Sequence, residues 1–150
     1  MEKIIKGISI ILITFLVILQ GTIISNADNT QSDEASAATK ISLKVKESKI
    51  TPNSEIKVYI YLESTKQADG IAVVEGKIDF DADKLEPITT NDSTYNGWTT
   101  TWNTENGSIT IDRGNLTSTP QEIAELTFKV KEKVETGETN VVFKEISVSD

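Results

Sequence analysis

The chain has 150 residues, which is enough for one domain with a real hydrophobic core and too few for two comfortable ones. Its formal net charge of −8 repels phosphate groups and argues against nucleic acid as a partner. The lack of cysteine and histidine excludes disulfides and removes both the commonest zinc ligand and the usual general base of serine and cysteine hydrolases, leaving only carboxylate chemistry or calcium.

Residues 1–27 have the organisation of a secretory signal peptide. Lys3 and Lys6 precede an almost wholly apolar stretch at residues 8–19, and the tripeptide SNA at residues 25–27 has the small-x-small form that a signal peptidase accepts. An uncleaved membrane anchor is the competing interpretation, because the apolar character continues toward the length of a spanning helix. We predict cleavage after Ala27 and a secreted, extracellular or cell-surface domain that meets the membrane only if the signal is uncleaved.

Residues 28–40 are small and polar, without an apolar period, and predict a flexible linker. After them, apolar and polar side chains alternate with a period of two, which is typical of strands with one buried face. The predicted strands are residues 41–46, 56–63, 72–80, 85–88, 99–103, 108–112, 123–130 and 139–148. Asn106-Gly107 suits the tip of a tight hairpin. The pattern predicts an all-β fold, an antiparallel β-sandwich.

The third predicted strand and the turn after it, residues 70–87, read GIAVVEGKIDFDADKLEP. This segment resembles the part of cohesin domains in which a glycine-led strand runs into an aromatic-Asp-Pro-x-x-Leu-Glu turn. The matching residues are Phe80, Asp81, Leu85 and Glu86, while Ala82 stands where the family usually has proline. The order and spacing of the other segments extend the resemblance over about residues 40–149.

The resemblance implies a jelly-roll sandwich without catalytic activity or cofactor. Such a module binds a dockerin and thereby attaches enzymes to a secreted scaffold, usually one that degrades plant polysaccharide. Cohesins continue into a final strand that pairs beside the first, whereas this sequence ends at Asp150. An unpaired first strand is a liability that natural sheets avoid. We therefore expect residues 41–150 to form a C-terminally truncated cohesin-like domain whose last strand is missing.

The resemblance also implies a partner site on the third strand. Cohesins bind dockerin through one flat sheet face, where the best-known type carries an Asn and an Asp two residues apart. The matching positions are Val73 and Glu75, so an outward carboxylate is kept while valine cannot hydrogen-bond. In the strand alternation, Lys77 and Asp79 continue the same outward face.

We predict that two outward-facing tyrosines of the second strand, Tyr59 and Tyr61, join this partner face. The reason is compositional, because tyrosines beside charged residues on a flat sheet are what protein interfaces favour.

Three aspartates at alternate positions, Asp79, Asp81 and Asp83, raise the question of calcium or acid/base chemistry. An EF-hand loop counted from Asp79 would need glycine and glutamate where Lys84 and Thr90 stand. Glycosidase carboxylates face each other across a cleft, which adjacent residues at a sheet end do not build. We predict no metal site here.

A structural role suits Asp81 better. Its carboxylate can cap a turn by accepting backbone N–H groups two or three residues on. This turn carries Phe80 into the core and returns the chain at Leu85.

The segment TYNGWTTTW, residues 94–102, holds a second constellation, which consists of Tyr95, Trp98 and Trp102. The two tryptophans are four residues apart and share one face of a strand. If exposed, they and Tyr95 could stack on sugar rings; the alternative is that the tryptophans pack in or beside the core, as this residue type usually does.

Three functions follow from these observations. The first is a secreted, non-enzymatic cohesin-like module that docks a dockerin-bearing protein in a polysaccharide-degrading or cell-surface assembly. The second is a carbohydrate-binding module that uses exposed Trp98 and Trp102, with polysaccharide as the ligand. The third is a structural or adhesive domain of a surface protein.

Overall fold

The computed structural model describes residues 39–47, 50–65, 69–88, 93–134 and 139–150. The predicted signal peptide and all but the end of the predicted linker lie outside these residues. The described part forms nine strands: β1 (Lys40–Val45), β2 (Glu55–Ser64), β3 (Ile71–Phe80), β4 (Leu85–Pro87), β5 (Ser93–Tyr95), β6 (Trp98–Trp102), β7 (Ser108–Thr117), β8 (Gln121–Val130) and β9 (Val141–Ser149). Within the same ranges, no helix is long and apolar enough to cross a membrane.

The strands form two antiparallel sheets. One has the order β1-β2-β8-β4 and the other β5-β6-β7-β3-β9. The predicted all-β antiparallel sandwich is confirmed. β2 and β3 follow one another in the chain but belong to different sheets, so the chain crosses the sandwich between them. This crossing decides which side chains can share an outer face.

The core is built by the period-two alternation that the sequence shows. In β3, Val74 and Ile78 are buried, and the residues directly after them, Glu75 and Asp79, are exposed. Because successive side chains point to opposite faces of a strand, each sheet contributes one apolar face to a shared interior.

Trp98 and Trp102 lie in this core, at 0% and 1% exposure. The ring of Trp102 packs 5.5 Å from Phe128 and 6.2 Å from Phe80, measured between centroids. β6 thus reads buried-exposed-buried-exposed-buried, with the tryptophans inward and Thr99 and Thr101 outward. The hypothesis of an exposed tryptophan platform is wrong, because the strand turns both indoles toward the second sheet.

The hairpin of β6 and β7 is confirmed. Asn103 N donates to Ser108 O at 2.8 Å, and Gly107 adopts a φ of 78° at the tip. The two largest differences from the predicted strands are that β7 is longer than expected and that the three-residue β5 was not predicted, while other strand ends shift by one or two residues. β5 pairs with β6 through a turn at Asn96 and Gly97, both with positive φ.

Candidate partner-binding face

β3 is an interior strand of the five-stranded sheet, flanked by β7 on one side and by the edge strand β9 on the other. Val73, Glu75, Lys77 and Asp79 alternate with buried residues and point away from the core. The outward orientation predicted for these four residues is therefore confirmed. We call the outer surface around them the β3 face, formed by the outward side chains of β3, β6, β7 and β9.

On the β7 side, the β3 face is polar and rich in hydroxyl groups. Val73 pairs with Asp112, and Glu75 pairs with Thr110. Thr99 and Thr101 of β6 stand opposite Asp112 and Thr110, respectively. An open depression of about 420 Å³ is lined by Thr99, Thr101, Thr110, Asp112, Arg113 and Gly114. Hydroxyl groups can donate or accept, so this half offers hydrogen bonds to either kind of partner group.

On the β9 side, the β3 face is neutralised by ion pairs. Lys77 Nζ lies 2.7 Å from the Glu145 carboxylate, and Lys144 pairs with Asp79. The hydrogen bond to Asp79 raises the pKa of Lys144 above its usual value. Within the described chain Glu75 has no such ion pair, and it is exposed. Glu75 is therefore an exposed carboxylate on the β3 face that a partner's cation or donor can reach.

Tyr59 and Tyr61 do not belong to the β3 face, so that part of the prediction is wrong. Both lie on β2, which is in the four-stranded sheet, and their outward side is the opposite surface of the sandwich. The prediction assumed that strands adjacent in sequence are adjacent in a sheet. In this fold β7 and β9, not β2, are the neighbours of β3.

On that opposite surface, the rings of Tyr59 and Tyr61 are covered by two lysines, one near the end of β1 and one directly after it. Lys44 Nζ stands 3.3 Å above the centre of the Tyr61 ring, and Lys46 Nζ stands 4.0 Å from that of Tyr59. Tyr59 is 8% exposed. Burial, followed by the negative charge of Glu125, raises the pKa of the Tyr59 phenol. Cation–π contacts of this kind hold the rings against the protein rather than offering them to a ligand.

Tyr95 does not form an aromatic platform with the tryptophans. Its hydroxyl donates to Glu122 of β8 at 2.6 Å, and its ring lies 6.0 Å from that of Tyr59. The hydrogen bond to Glu122, with burial second, raises the pKa of Tyr95 to about 12. Since Trp98 and Trp102 point inward and Tyr95 is engaged by the other sheet, these three side chains do not make a sugar-stacking surface.

The three alternate aspartates have separate surroundings. Asp79 pairs with Lys144 across the strand, whereas the Asp81 carboxylate accepts the Asp83 backbone N–H at 3.1 Å and lies 3.5 Å from Lys84 Nζ. Among the described residues, no group of three acidic side chains converges in the manner of a metal site. The predicted turn cap is confirmed, and the backbone carbonyl of Asp81 also accepts the N–H of Leu85 at 2.8 Å.

Replacing Asp81 by alanine is expected to lower the free energy of unfolding by about 1 kcal/mol, because the turn loses its side-chain acceptor while its backbone bond to Leu85 remains. Urea denaturation would measure the change. Asp83→Ala is the matched control, since the Asp83 side chain is exposed and only its backbone N–H takes part in the cap. Equal midpoints for the two variants would contradict the capping role.

Several residues of the β3 face were missed in the sequence. They are Thr99, Thr101, Thr110, Asp112, Lys144 and Glu145. The alternation of threonine and tryptophan in β6 indicates that two threonines face outward once the tryptophans are placed inside. No local pattern shows that β6, β7 and β9 flank β3, because strand order arises from long-range pairing.

Comparison with known proteins agrees with this architecture. A family model described as the cohesin domain matches residues 40–150. A type II cohesin–X-dockerin complex of Acetivibrio cellulolyticus, in an N-terminal interface mutant form, has a TM-score of 0.52 at 14% identity, over 72% of this chain and 78% of that chain. The second type II cohesin module of an adaptor scaffoldin of the same organism has a TM-score of 0.50 at 17% identity, over 73% and 72%. No curated protein matches the chain.

The class is thus a two-sheet antiparallel β-sandwich of the type found in scaffoldin modules. The chain belongs to the cohesin domain family, since the family match covers the whole described sandwich. The resemblance of residues 70–87 to cohesins is confirmed by this match. Cohesin domains are binding modules rather than enzymes, and the question of function becomes one of partner and surface.

Proposed function

We propose that this chain is a secreted, non-catalytic cohesin module that docks a dockerin-bearing protein through its β3 face. The observation that carries the proposal is Glu75, which matches a dockerin-contacting position of the family and stands exposed on that face, without an ion pair among the described residues. The complex of a related cohesin fold with an X-dockerin adds support for the kind of partner.

The chemistry of the β3 face suits a partner surface with a small apolar patch and hydrogen-bonding groups around it. Val73 is half-buried and presents methyl groups, so an apolar side chain of the partner can pack there. Glu75 and the neighbouring threonines supply the polar contacts. Specific interfaces usually combine apolar contacts with polar contacts around them.

The cellular setting is part of the same proposal. The predicted signal peptide of residues 1–27 would export the domain, and a dockerin partner would make it a docking point for enzymes in an extracellular or cell-surface assembly that degrades polysaccharide. One similar structure is a cohesin module of an adaptor scaffoldin, which supports an assembly of this kind.

Replacing Glu75 by lysine is expected to weaken dockerin binding by about tenfold or more, because the reversed charge repels the donor groups that a carboxylate attracts. Calorimetry with the domain and recombinant dockerin modules encoded in the same genome would measure the Kd. The result should appear without a change in thermal unfolding, since Glu75 is exposed.

Glu55→Lys is the matched control for this experiment. Glu55 is also an exposed glutamate on a strand, but it lies on β2, whose outward side is the opposite surface of the sandwich. We expect it to leave the Kd unchanged. Equal losses in both variants would contradict the β3 face as the site. Failure of the unmodified domain to bind any of the dockerins would contradict docking itself and favour a structural or adhesive role.

A further inference from the structure

Along one side of the sandwich, β5 and the turn after it contact β8 of the opposite sheet. β4 pairs only with Phe128, Lys129 and Val130 of β8. In the described part of the chain, the first half of β8 therefore has a strand partner, β2, on one side only. The turn after β5 lies beside this half, where Asn96 Nδ2 donates to the backbone carbonyl of Glu122 at 3.1 Å. The edge of β8 that lacks a strand partner is thus covered by the turn after β5, which belongs to the other sheet.

Glu122 is the centre of this contact, and it uses both carboxylate oxygens. Oε2 accepts the Tyr95 hydroxyl at 2.6 Å, and Oε1 lies 2.6 Å from Lys46 Nζ. The Tyr95 ring packs 6.0 Å from Tyr59. We call these five residues, Lys46, Tyr59, Tyr95, Asn96 and Glu122, the Glu122 clasp. It joins the end of β1, strands β2 and β8, and β5 of the opposite sheet.

The clasp depends on the charge of Glu122. The Glu122 side chain is 19% exposed, so its hydrogen bonds are only partly screened by water. The bonds from Lys46 and then Tyr95 lower the pKa of Glu122 below its usual 4.5. The stabilisation is complete above pH 4.5 and disappears as the pH falls through the lowered pKa. The titratable and charged groups facing Glu122 are Lys44, Lys46, Tyr59, Tyr61, Tyr95 and Glu125.

The Glu122 clasp is connected directly to the proposed partner site. Tyr95 pairs with Trp98, and Thr94 pairs with Thr99, so β5 is the outer neighbour of β6. β6 in turn carries Thr99 and Thr101 on the β3 face, along the depression beside Asp112. The hairpin of β5 and β6 is therefore the rim of that face, and the clasp ties the rim to the opposite sheet.

We propose that the Glu122 clasp is an acid-sensitive latch that holds the rim formed by β5 and β6 in place, with Tyr95 and Glu122 as positioning residues for the partner-binding face. The claim that the latch affects partner affinity rests on the proposed docking function. The claim that it keeps the rim from opening does not. A latch of this kind releases a short edge strand without disturbing the core, because the core tryptophans of β6 stay packed.

Hydrogen exchange of single backbone amides tests the latch in Tyr95→Phe, which keeps the ring and removes the hydroxyl. We expect exchange at the β5 amides, and at those β6 amides that bond to β5, to rise by about tenfold or more at neutral pH, which corresponds to the loss of one hydrogen bond to a charged group. The exchange rates of the backbone amides in the paired strands β3 and β9 should not change. Tyr61→Phe is the matched control. It removes a tyrosine hydroxyl from the outer face of β2 but leaves the Glu122 clasp intact, because the Tyr61 ring contacts Lys44 instead.

The second part of the test measures hydrogen exchange as a function of pH. After correction for intrinsic exchange rates, the unmodified domain should show faster rim exchange as the pH falls below about 4.5, and Glu122→Gln should show no such step because its amide does not titrate. Glu122→Gln also serves if Tyr95→Phe does not fold. Rim exchange in Tyr95→Phe equal to that in Tyr61→Phe, or an acid step that persists in Glu122→Gln, would overturn the latch.

Partner affinity completes the test. With a dockerin that binds the unmodified domain, Tyr95→Phe should weaken the Kd severalfold although it leaves Glu75 intact, and Tyr61→Phe should not. A faster-exchanging rim with an unchanged Kd would overturn the positioning role. If no dockerin binds the unmodified domain, the proposed docking function and the positioning role fail, while the exchange measurements still decide the latch by themselves.

Discussion

Replacing Trp102 by alanine is expected to lower the free energy of unfolding by about 3–5 kcal/mol, the range for removing a large aromatic side chain from a packed core. Trp102 is 1% exposed and lies against Phe80 and Phe128, so its removal leaves a cavity between the two sheets. Its indole N–H has no hydrogen-bond partner in the described structure, so the loss is one of packing. Denaturation in urea would measure it.

Leu116→Ala is the control for this change, because Leu116 is 45% exposed and its truncation should cost less than about 1 kcal/mol. The comparison separates a core role of Trp102 from a surface role. The buried position would be contradicted if Trp102→Ala unfolded at the same denaturant concentration as the unmodified domain but lost binding to cellulose or xylan oligomers. That result would support a sugar-binding role for the tryptophans.

Replacing Gly70 by alanine is expected to lower the free energy of unfolding by about 3 kcal/mol or more, from a strained backbone and a collision together. Gly70 has a φ of 99°, which residues other than glycine rarely adopt. A Cβ there would lie within 2.8 Å of three backbone atoms of Thr117. The collision is with main chain, so no rotation of a side chain relieves it. Thermal and chemical unfolding would both report the loss.

Gly97→Ala isolates the part of this effect that comes from the backbone angle alone. Gly97 has a φ of 80°, but an added Cβ would meet no atom within 4 Å. We expect a cost of about 1–2 kcal/mol there. If Gly70→Ala costs no more than Gly97→Ala, the close approach of Gly70 to Thr117 does not constrain the fold.

The strands themselves were largely predictable from the sequence. The alternation in residues 72–80 predicts both the extent of β3 and its buried face, because a half-buried strand needs one apolar residue in two. β5 escaped prediction, since three residues are too few to show a period. The turn after β3 was also predictable, because Asp81 caps it through local contacts within two residues.

The candidate site was predictable only in part. The outward residues of β3 followed from alternation and from the cohesin resemblance, whereas Tyr59 and Tyr61 were assigned to the wrong face. Their outward direction on β2 was right, but the chain crosses between the sheets before β3. Sequence adjacency is a common guide to strand neighbours, and a Greek-key or jelly-roll connection is where it fails.

The sequence by itself determined the all-β class, the buried and exposed faces of most strands, the cohesin resemblance and the turn at Asp81, because each depends on a local period or on contacts between near neighbours. Only the tertiary structure decided that Glu75 shares a surface with Thr110 rather than with Tyr61, that both tryptophans point inward, and that Glu122 joins the two sheets through Tyr95. These are pairings between residues far apart in the chain, which the packing of one sheet on the other selects.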